Sequence, residues 1–234
     1  MHRFYLPQTI TAGKPLAITD SRIVFHAGKV LRMRKGYKFH LFNHKAQEFA
    51  VEVLDTDRRQ VLVNVVEPVE NHTEPRLKVS LYQAIPKKPA LFELVVQKAT
   101  EIGAYEIFPL ITERTEKRHV GKFERLSLIA LEAAEQCGRL HIPIVRHPVV
   151  FEDAVPKLKG AYMAYEYETK AYLPDLGPAS GQAQLIIGPE GGLSQKEVEL
   201  AQKTGIKTFT FGPRILRTET AAISALSLLL LGGR

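Results

Sequence analysis

Only one cysteine, Cys137, occurs in the 234-residue chain, so no intramolecular disulfide can form and a zinc site built on several thiolates is excluded. A reducing cytoplasm suits such a chain, and no metal site is expected. Long apolar stretches are missing too. The run over residues 221–231 is too short to span a bilayer, and the opening MHRFYLPQTI lacks the apolar core of a signal peptide, so neither membrane insertion nor secretion is expected. Acidic side chains are nearly absent from the first 45 positions, where Asp20 stands alone against nine Lys/Arg: Arg3, Lys14, Arg22, Lys29, Arg32, Arg34, Lys35, Lys38 and Lys45. With a formal net charge of +7 for the whole chain, this local excess favours a polyanionic partner such as a nucleic acid, although a solvated basic surface has the same composition. What remains is ordinary: 45% hydrophobic and 24% charged residues suffice for a packed core without special devices.

Hydrophobic residues alternate with period two through residues 37–66: Phe39 and Leu41, then Phe49, Val51 and Val53, then Val61, Val63 and Val65, with Asn43-His44 and Asp55-Thr56-Asp57 as turns. Successive strand side chains point to opposite faces, so the spacing predicts three antiparallel strands with one buried face. A short helix over 21–31 completes a small, mostly β first domain. The polar, proline-containing stretch 67–75 interrupts the pattern and sets the boundary, giving domains over 1–72 and 73–234.

Beyond it, strands alternate with helices. A strand over 77–84 leads to a helix over 89–102, opened by Pro89, closed by Gly103 and carrying Leu91, Leu94, Val95, Ala99 and Ile102 on one face. A strand over 106–110 is followed by a helix over 122–137 with Phe123, Leu126, Ala130, Ala133 and Cys137 on one stripe, where the cysteine reads as packed rather than catalytic. Further strands are predicted over 161–165, 185–187 and 206–211, a helix from the capping box Ser194-Gln195-Lys196-Glu197, and a last helix over 220–231. This grammar belongs to an α/β domain with a mainly parallel sheet.

The most informative segment is Leu185-Ile186-Ile187-Gly188-Pro189-Glu190-Gly191-Gly192-Leu193-Ser194, a buried strand feeding a glycine-bearing turn and a capped helix. Glycines there permit close backbone approach to a ligand at the carboxyl end of the strand, the edge where open α/β sheets bind ligands. A tight turn without a ligand is the other reading. The Gly-Lys-Ser/Thr of a phosphate loop is absent, and Glu190 would repel phosphate, so a cofactor carrying a positive sulfonium is more compatible. A second constellation, Phe211-Gly212-Pro213-Arg214-Ile215-Leu216-Arg217-Thr218-Glu219-Thr220-Ala221, puts two guanidinium groups beside a helix N-terminus, where Thr and Glu equally suit capping. Upstream lie Arg114-Thr115-Glu116-Lys117-Arg118 and Glu132-Ala133-Ala134-Glu135-Gln136-Cys137-Gly138-Arg139. In the latter, Glu132, Glu135, Gln136 and Arg139 share a polar helix face.

With these motifs assembled, the chain resembles the RsmE family of 16S ribosomal RNA uridine-N3 methyltransferases of the SPOUT superfamily. The resemblance is carried by residues 98–103, Arg114-Thr115, 132–139, 187–192 and 212–222, and by MHRFYLP and Val30-Leu31-Arg32-Met33 in the first domain. It implies an α/β fold with a mainly parallel sheet and a C-terminal deep trefoil knot, preceded by a small PUA-like β-barrel domain that grips RNA. It implies S-adenosylmethionine as cofactor, held by Tyr165, Glu166, Gly188, Pro189, Glu190, Gly191, Gly192, Phe211, Gly212, Ile215, Leu216, Arg217 and Thr218. It further implies a cytoplasmic homodimer with sites at the subunit interface, acting on 16S ribosomal RNA in the small ribosomal subunit. One departure is noted: where family members often carry a paired histidine and an acid after the following glycine, this chain reads His26-Ala27-Gly28 and Gly36-Tyr37.

Methylation at N3 of uridine requires loss of the N3 proton and in-line approach to the methyl group, so orientation and electrostatics carry the chemistry. Arg217 and Arg139 are expected to offset charge on the uracil oxygens, and Arg114 to hold a phosphate. Glu219 or Glu190 is the expected general base. RNA contacts are expected from Arg3, Arg22, Lys29, Arg32, Arg34, Arg114 and Arg118. Alternatives are a SPOUT enzyme acting on transfer RNA, whose members often lack such a first domain, and a catalytically silent RNA-binding or ribosome-assembly protein.

Overall fold

The computed structural model describes residues 1–173 and 181–231. The chain forms two compact units, Met1–Glu74 with Ala134–His141, and Pro75–Ala133 with Ile142–Arg234.

The first unit contains strands β1 (Arg3–Tyr5), β2 (Pro15–Ile18), β3 (Lys38–Phe42), β4 (Glu48–Thr56) and β5 (Val61–Val69). Their hydrogen-bonded order is β1-β3-β4-β5-β2, parallel between β1 and β3 and antiparallel elsewhere. The alternation read from the sequence appears as burial: Phe39, Leu41, Val53 and Val63 are fully buried, each contributing roughly 1.5–3 kcal/mol against its exposed state. They pack with Ile23 and Ala27 of helix α1 (Ser21–Phe25) and the π-helical turn His26–Val30 that continues it. Asp20 starts α1 by accepting from the Arg22 and Ile23 amides at 3.0 and 3.1 Å.

Two features differ from expectation. Strands β1 and β2, at opposite edges of the hydrogen-bonded order, were not read from the sequence, because three and four residues are too short to display a period. The polar stretch after Val66 does not end the strand, because β5 runs on through Pro68 to Val69. Its pairing with β2 covers only Val61 to Asn64, so Pro68 lies at an edge where a missing donor is tolerated.

The second unit contains β6 (Lys78–Ala84), α2 (Pro89–Ile102), β7 (Glu106–Ile111), α3 (Phe123–Cys137), β8 (Ile144–Val145), β9 (Val149–Val150), α4 (Phe151–Ala154), β10 (Ala161–Ala164), β11 (Gln182–Ile187), α5 (Gln195–Lys203), β12 (Lys207–Phe209) and α6 (Thr218–Leu230). The last turn of α3 counts with the first unit. The sheet runs β12-β10-β11-β6-β7-β8, with β9 also on β7, and every pairing is parallel. Both faces are covered. Leu81, Leu185 and Ile187 pack with Val96 and Ala99 of α2 and with Ala222 and Leu226 of α6, while Tyr82, Met163 and Ile186 pack with Phe151, Val198 and Ala201 on the other side.

Helix α2 has the predicted bounds, but its buried residues are Phe92, Val95, Val96, Ala99 and Thr100, and Leu94 is 36% exposed. The helix packs on α6 as well as on the sheet, which turns the buried arc away from Leu94. Gly103 closes it at φ +119°, and a Cβ there would stand 2.5 Å from Pro75 Cγ, so conformation and space both require glycine. Cys137 is half-buried. Among the described residues no helix is long and apolar enough to cross a membrane.

Parallel pairing brings the carboxyl ends of neighbouring strands to one edge. Registers pair Ile187 with Gln83 and Ala164 with Phe209, so the segments leaving β6, β10, β11 and β12 start side by side.

Candidate active site

At that edge lies a cleft of ≈ 1090 Å³, walled by residues 164–169 after β10, 187–193 after β11 and 210–219 leading from β12 into α6, with Lys87, Lys88 and Leu91 from the β6–α2 connection. The glycine-bearing turn is fixed from several directions. Glu190 Oε1 accepts the Lys87 amide at 3.0 Å, and Arg114 Nη1 donates to the Gly191 carbonyl at 2.7 Å. Behind it the predicted capping box is present: Glu197 Oε2 accepts the Ser194 amide at 2.8 Å, while its Oε1 accepts the Glu113 amide at 2.8 Å. At Gly192, φ is +71°, a conformation that favours glycine, and the end of the Glu166 side chain lies against it where an added Cβ would require that carboxylate to shift.

The loop into α6 is tied to the same turn. Thr218, the first residue of α6, donates its hydroxyl to the Gly188 carbonyl at 2.7 Å and accepts from Gln83 Nε2 at 2.8 Å. Arg217 is the N-cap residue of α6, with an exposed side chain that makes no ion pair among the described residues. Ile215 is 84% exposed.

Charges of both signs line the cleft: Glu166, Glu168, Glu190 and Glu219 against Lys87, Lys88, Arg214 and Arg217. The Glu168 carboxyl is held below its ordinary value, first by the Lys170 amide and then by the Thr208 hydroxyl at 2.7 Å and further amides. Burial, followed by the negative neighbour Glu166, pushes the Tyr165 phenol up. The Lys87 ammonium is held charged by its pair with Glu116 at 2.7 Å.

Every residue assigned from the sequence to the cofactor lines this cleft: Tyr165, Glu166, Gly188, Pro189, Glu190, Gly191, Gly192, Phe211, Gly212, Ile215, Leu216, Arg217 and Thr218. Glu219 lines it too. Arg139 belongs to the first unit and is 3% exposed, with its guanidinium on Glu74 at 2.8 Å. Arg3 and Arg22 are paired within the first unit as well. Arg3 holds Glu48 with two nitrogens at 2.9 and 3.0 Å and also donates to the Ala134 carbonyl, and Arg22 pairs with Glu135 at 2.8 Å. Lys29, Arg32, Arg34 and Arg118 are exposed, as is Arg114, although one of its nitrogens is held by Gly191.

Sequence reading missed Lys87, Lys88 and Leu91, although a connection leaving the carboxyl end of a parallel strand is a signal that could have found them. Tyr167, Glu168, Thr169, Tyr172 and Thr210 were missed as well, because only the alignment of β10 with β12 brings them to the cleft.

Comparison with known proteins places this geometry. Residues 73–230 match the family model for the RNA methyltransferase domain, and residues 18–66 match that for the RNA methyltransferase PUA domain. The chain belongs to this RNA methyltransferase family. Among relatives, ribosomal RNA small subunit methyltransferase E of Bacillus subtilis is 32% identical across 97% of this chain and 95% of its own length. The enzyme of the same name from Aquifex aeolicus is 27% identical across 98% and 99%. A methyltransferase from Legionella pneumophila, solved with the bound cofactor SAM, is 36% identical with TM-score 0.88, covering 97% of this chain and 96% of that one. Ribosomal RNA small subunit methyltransferase E from Neisseria gonorrhoeae, bound to S-adenosyl methionine, has TM-score 0.90 at 29% identity, covering 97% and 95%.

Proposed function

We propose that this chain transfers a methyl group from S-adenosylmethionine to N3 of a uridine in 16S ribosomal RNA of the small ribosomal subunit, acting as a cytoplasmic homodimer. The observation that carries the reading is the meeting of the glycine-bearing turn 188–192 and the arginine-bearing turn 211–218 around one cleft. Its volume, ≈ 1090 Å³, is ample for a cofactor-sized ligand, pockets for which run to about 300–1,000 Å³.

The lining suits the cofactor. Glu166 lies against Gly192 where no side chain intervenes, and negative carboxylates favour a cationic sulfonium over a phosphate. When bound, S-adenosylmethionine supplies an electrophilic methyl group. The residues of this chain then hold and charge-match the base: Arg217 offsets the negative charge that develops on a uracil oxygen as the N3 proton leaves. Glu219 on the first turn of α6 or Glu190 on the glycine turn, both lining the cleft, is the general base in this reading.

RNA affinity comes from the exposed cations Lys29, Arg32 and Arg34 of the first unit and from Arg114 and Arg118 of the second. The second unit follows the SPOUT pattern with a deep trefoil knot, a reading supported by β11 lying between β10 and β6 while α6 packs against α2, β6 and β11. The deciding experiment incubates purified protein and S-adenosylmethionine with small subunits lacking the modification, followed by mass spectrometry of 16S nucleosides. One N3-methyluridine per subunit is expected. Methylation of transfer RNA instead, or no product with cofactor bound, would replace this reading.

A further inference from the structure

Gln83, at the carboxyl end of β6, is fully buried and lies outside the lining of the cleft. Its Nε2 donates to the Ala84 carbonyl at 3.0 Å and to Thr218 Oγ1 at 2.8 Å, while its Oε1 has no partner among the described residues. A buried amide with an unmet acceptor is unfavourable, and an apolar side chain of similar length would avoid it, so the donor side accounts for its presence here. The donor side does something specific. Because the Thr218 hydroxyl has a single hydrogen and gives it to the Gly188 carbonyl at 2.7 Å, the order Gln83 N–H to Thr218 O–H to Gly188 C=O is fixed in direction.

This relay joins three chain segments that sequence separates widely: the end of β6, the start of the glycine-bearing turn, and the first residue of α6. Strand register sets Gln83 beside Ile187, the residue before Gly188. Arg217 caps α6, its carbonyl accepting the Ala221 amide at 2.8 Å, so fixing Thr218 fixes the turn from which Arg217 enters the cleft. We infer that Gln83 is a positioning residue for methyl transfer, acting through Thr218 to hold Arg217 at a set place relative to the glycine-bearing turn. The inference rests on the reading of Arg217 as the group that offsets charge on the base.

The test uses the full chain with Gln83→Met, Arg217→Ala and the double variant, comparing kcat on small subunits with S-adenosylmethionine affinity by calorimetry. Gln83→Met should lower kcat about tenfold with cofactor affinity within about twofold, and should cause no further loss in the Arg217→Ala background. If the methionine variant folds poorly by thermal melting, Gln83→Leu carries the same comparison. Full turnover in Gln83→Met beside a loss in Arg217→Ala overturns the positioning role alone. So does a Gln83→Met loss of equal size in the Arg217→Ala background, or one confined to cofactor affinity. Full turnover in Arg217→Ala overturns the role of Arg217 and this inference with it.

Discussion

The Glu166 carboxylate rests where a side chain on Gly192 would have to stand, and Gly192 itself holds φ at +71°. Gly192→Ala therefore meets a left-handed backbone penalty of roughly 1–2 kcal/mol and shifts the end of the Glu166 side chain. The expected result is at least about tenfold weaker S-adenosylmethionine binding by calorimetry. Unchanged affinity would show that this approach does not shape the cofactor site.

Arg217 should behave as a group used only in the transition state. Arg217→Ala is expected to reduce kcat by about 100-fold while leaving cofactor affinity nearly intact, measured by single-turnover methylation and calorimetry. Equal losses in both would move Arg217 to cofactor binding.

Of the four carboxylates lining the cleft among the described residues, Glu190 and Glu219 are held differently, which separates their roles. Glu190 accepts the Lys87 amide at 3.0 Å, whereas Glu219 sits on the first turn of α6. Glu190→Ala should loosen the glycine-bearing turn and weaken cofactor binding. Glu219→Gln should lower kcat at unchanged cofactor affinity, by about 10²–10⁴ if it is the base. A kcat loss confined to the Glu190 variant reverses the assignment.

In the first unit, Glu74 and Glu48 carry a pH dependence. Burial pushes the Glu74 carboxyl up, but hydrogen bonds from Arg139, His141 and Leu140 and the Arg139 charge outweigh it, leaving the folded value below the ordinary one. Glu48 is lowered in the same way by Arg3, Asn71 and His40. A depressed carboxyl stabilises the fold fully above the unfolded value of about 4.3, and loses that contribution as pH falls through the folded value. Glu74→Gln should thus cost about 3 kcal/mol at neutral pH, with the difference from wild type shrinking on acidification, followed by thermal melting. A difference independent of pH would exclude this linkage. Glu135 runs the other way, since burial outweighs its hydrogen bond from Tyr5 and its pairing with Arg22 and raises its value, so protonation there opposes acid unfolding.

For RNA, replacing Lys29, Arg32 and Arg34 together by alanine should weaken binding and reduce the slope of log affinity against log salt by about 2–3. Arg3→Ala and Arg22→Ala, whose guanidinium groups pair with Glu48 and Glu135, should instead lower the melting temperature and leave the slope in place. A slope unchanged in the triple variant would mark those cations as ordinary surface.

Local rules were enough to read the three strands within 37–66, the bounds of α2, the capping box at Ser194, and the two turns that wall the cleft, because period, caps and glycine placement act within a few residues of chain. The same rules could not say that Arg139 would be clamped by Glu74, 65 positions away, that Leu94 would face outward, or that Gln83 would reach Thr218 across 135 residues. Those pairings depend on which parallel strands lie side by side and in what register. Register is set by burial on both faces of the sheet at once, a property of the packed chain that no short window contains.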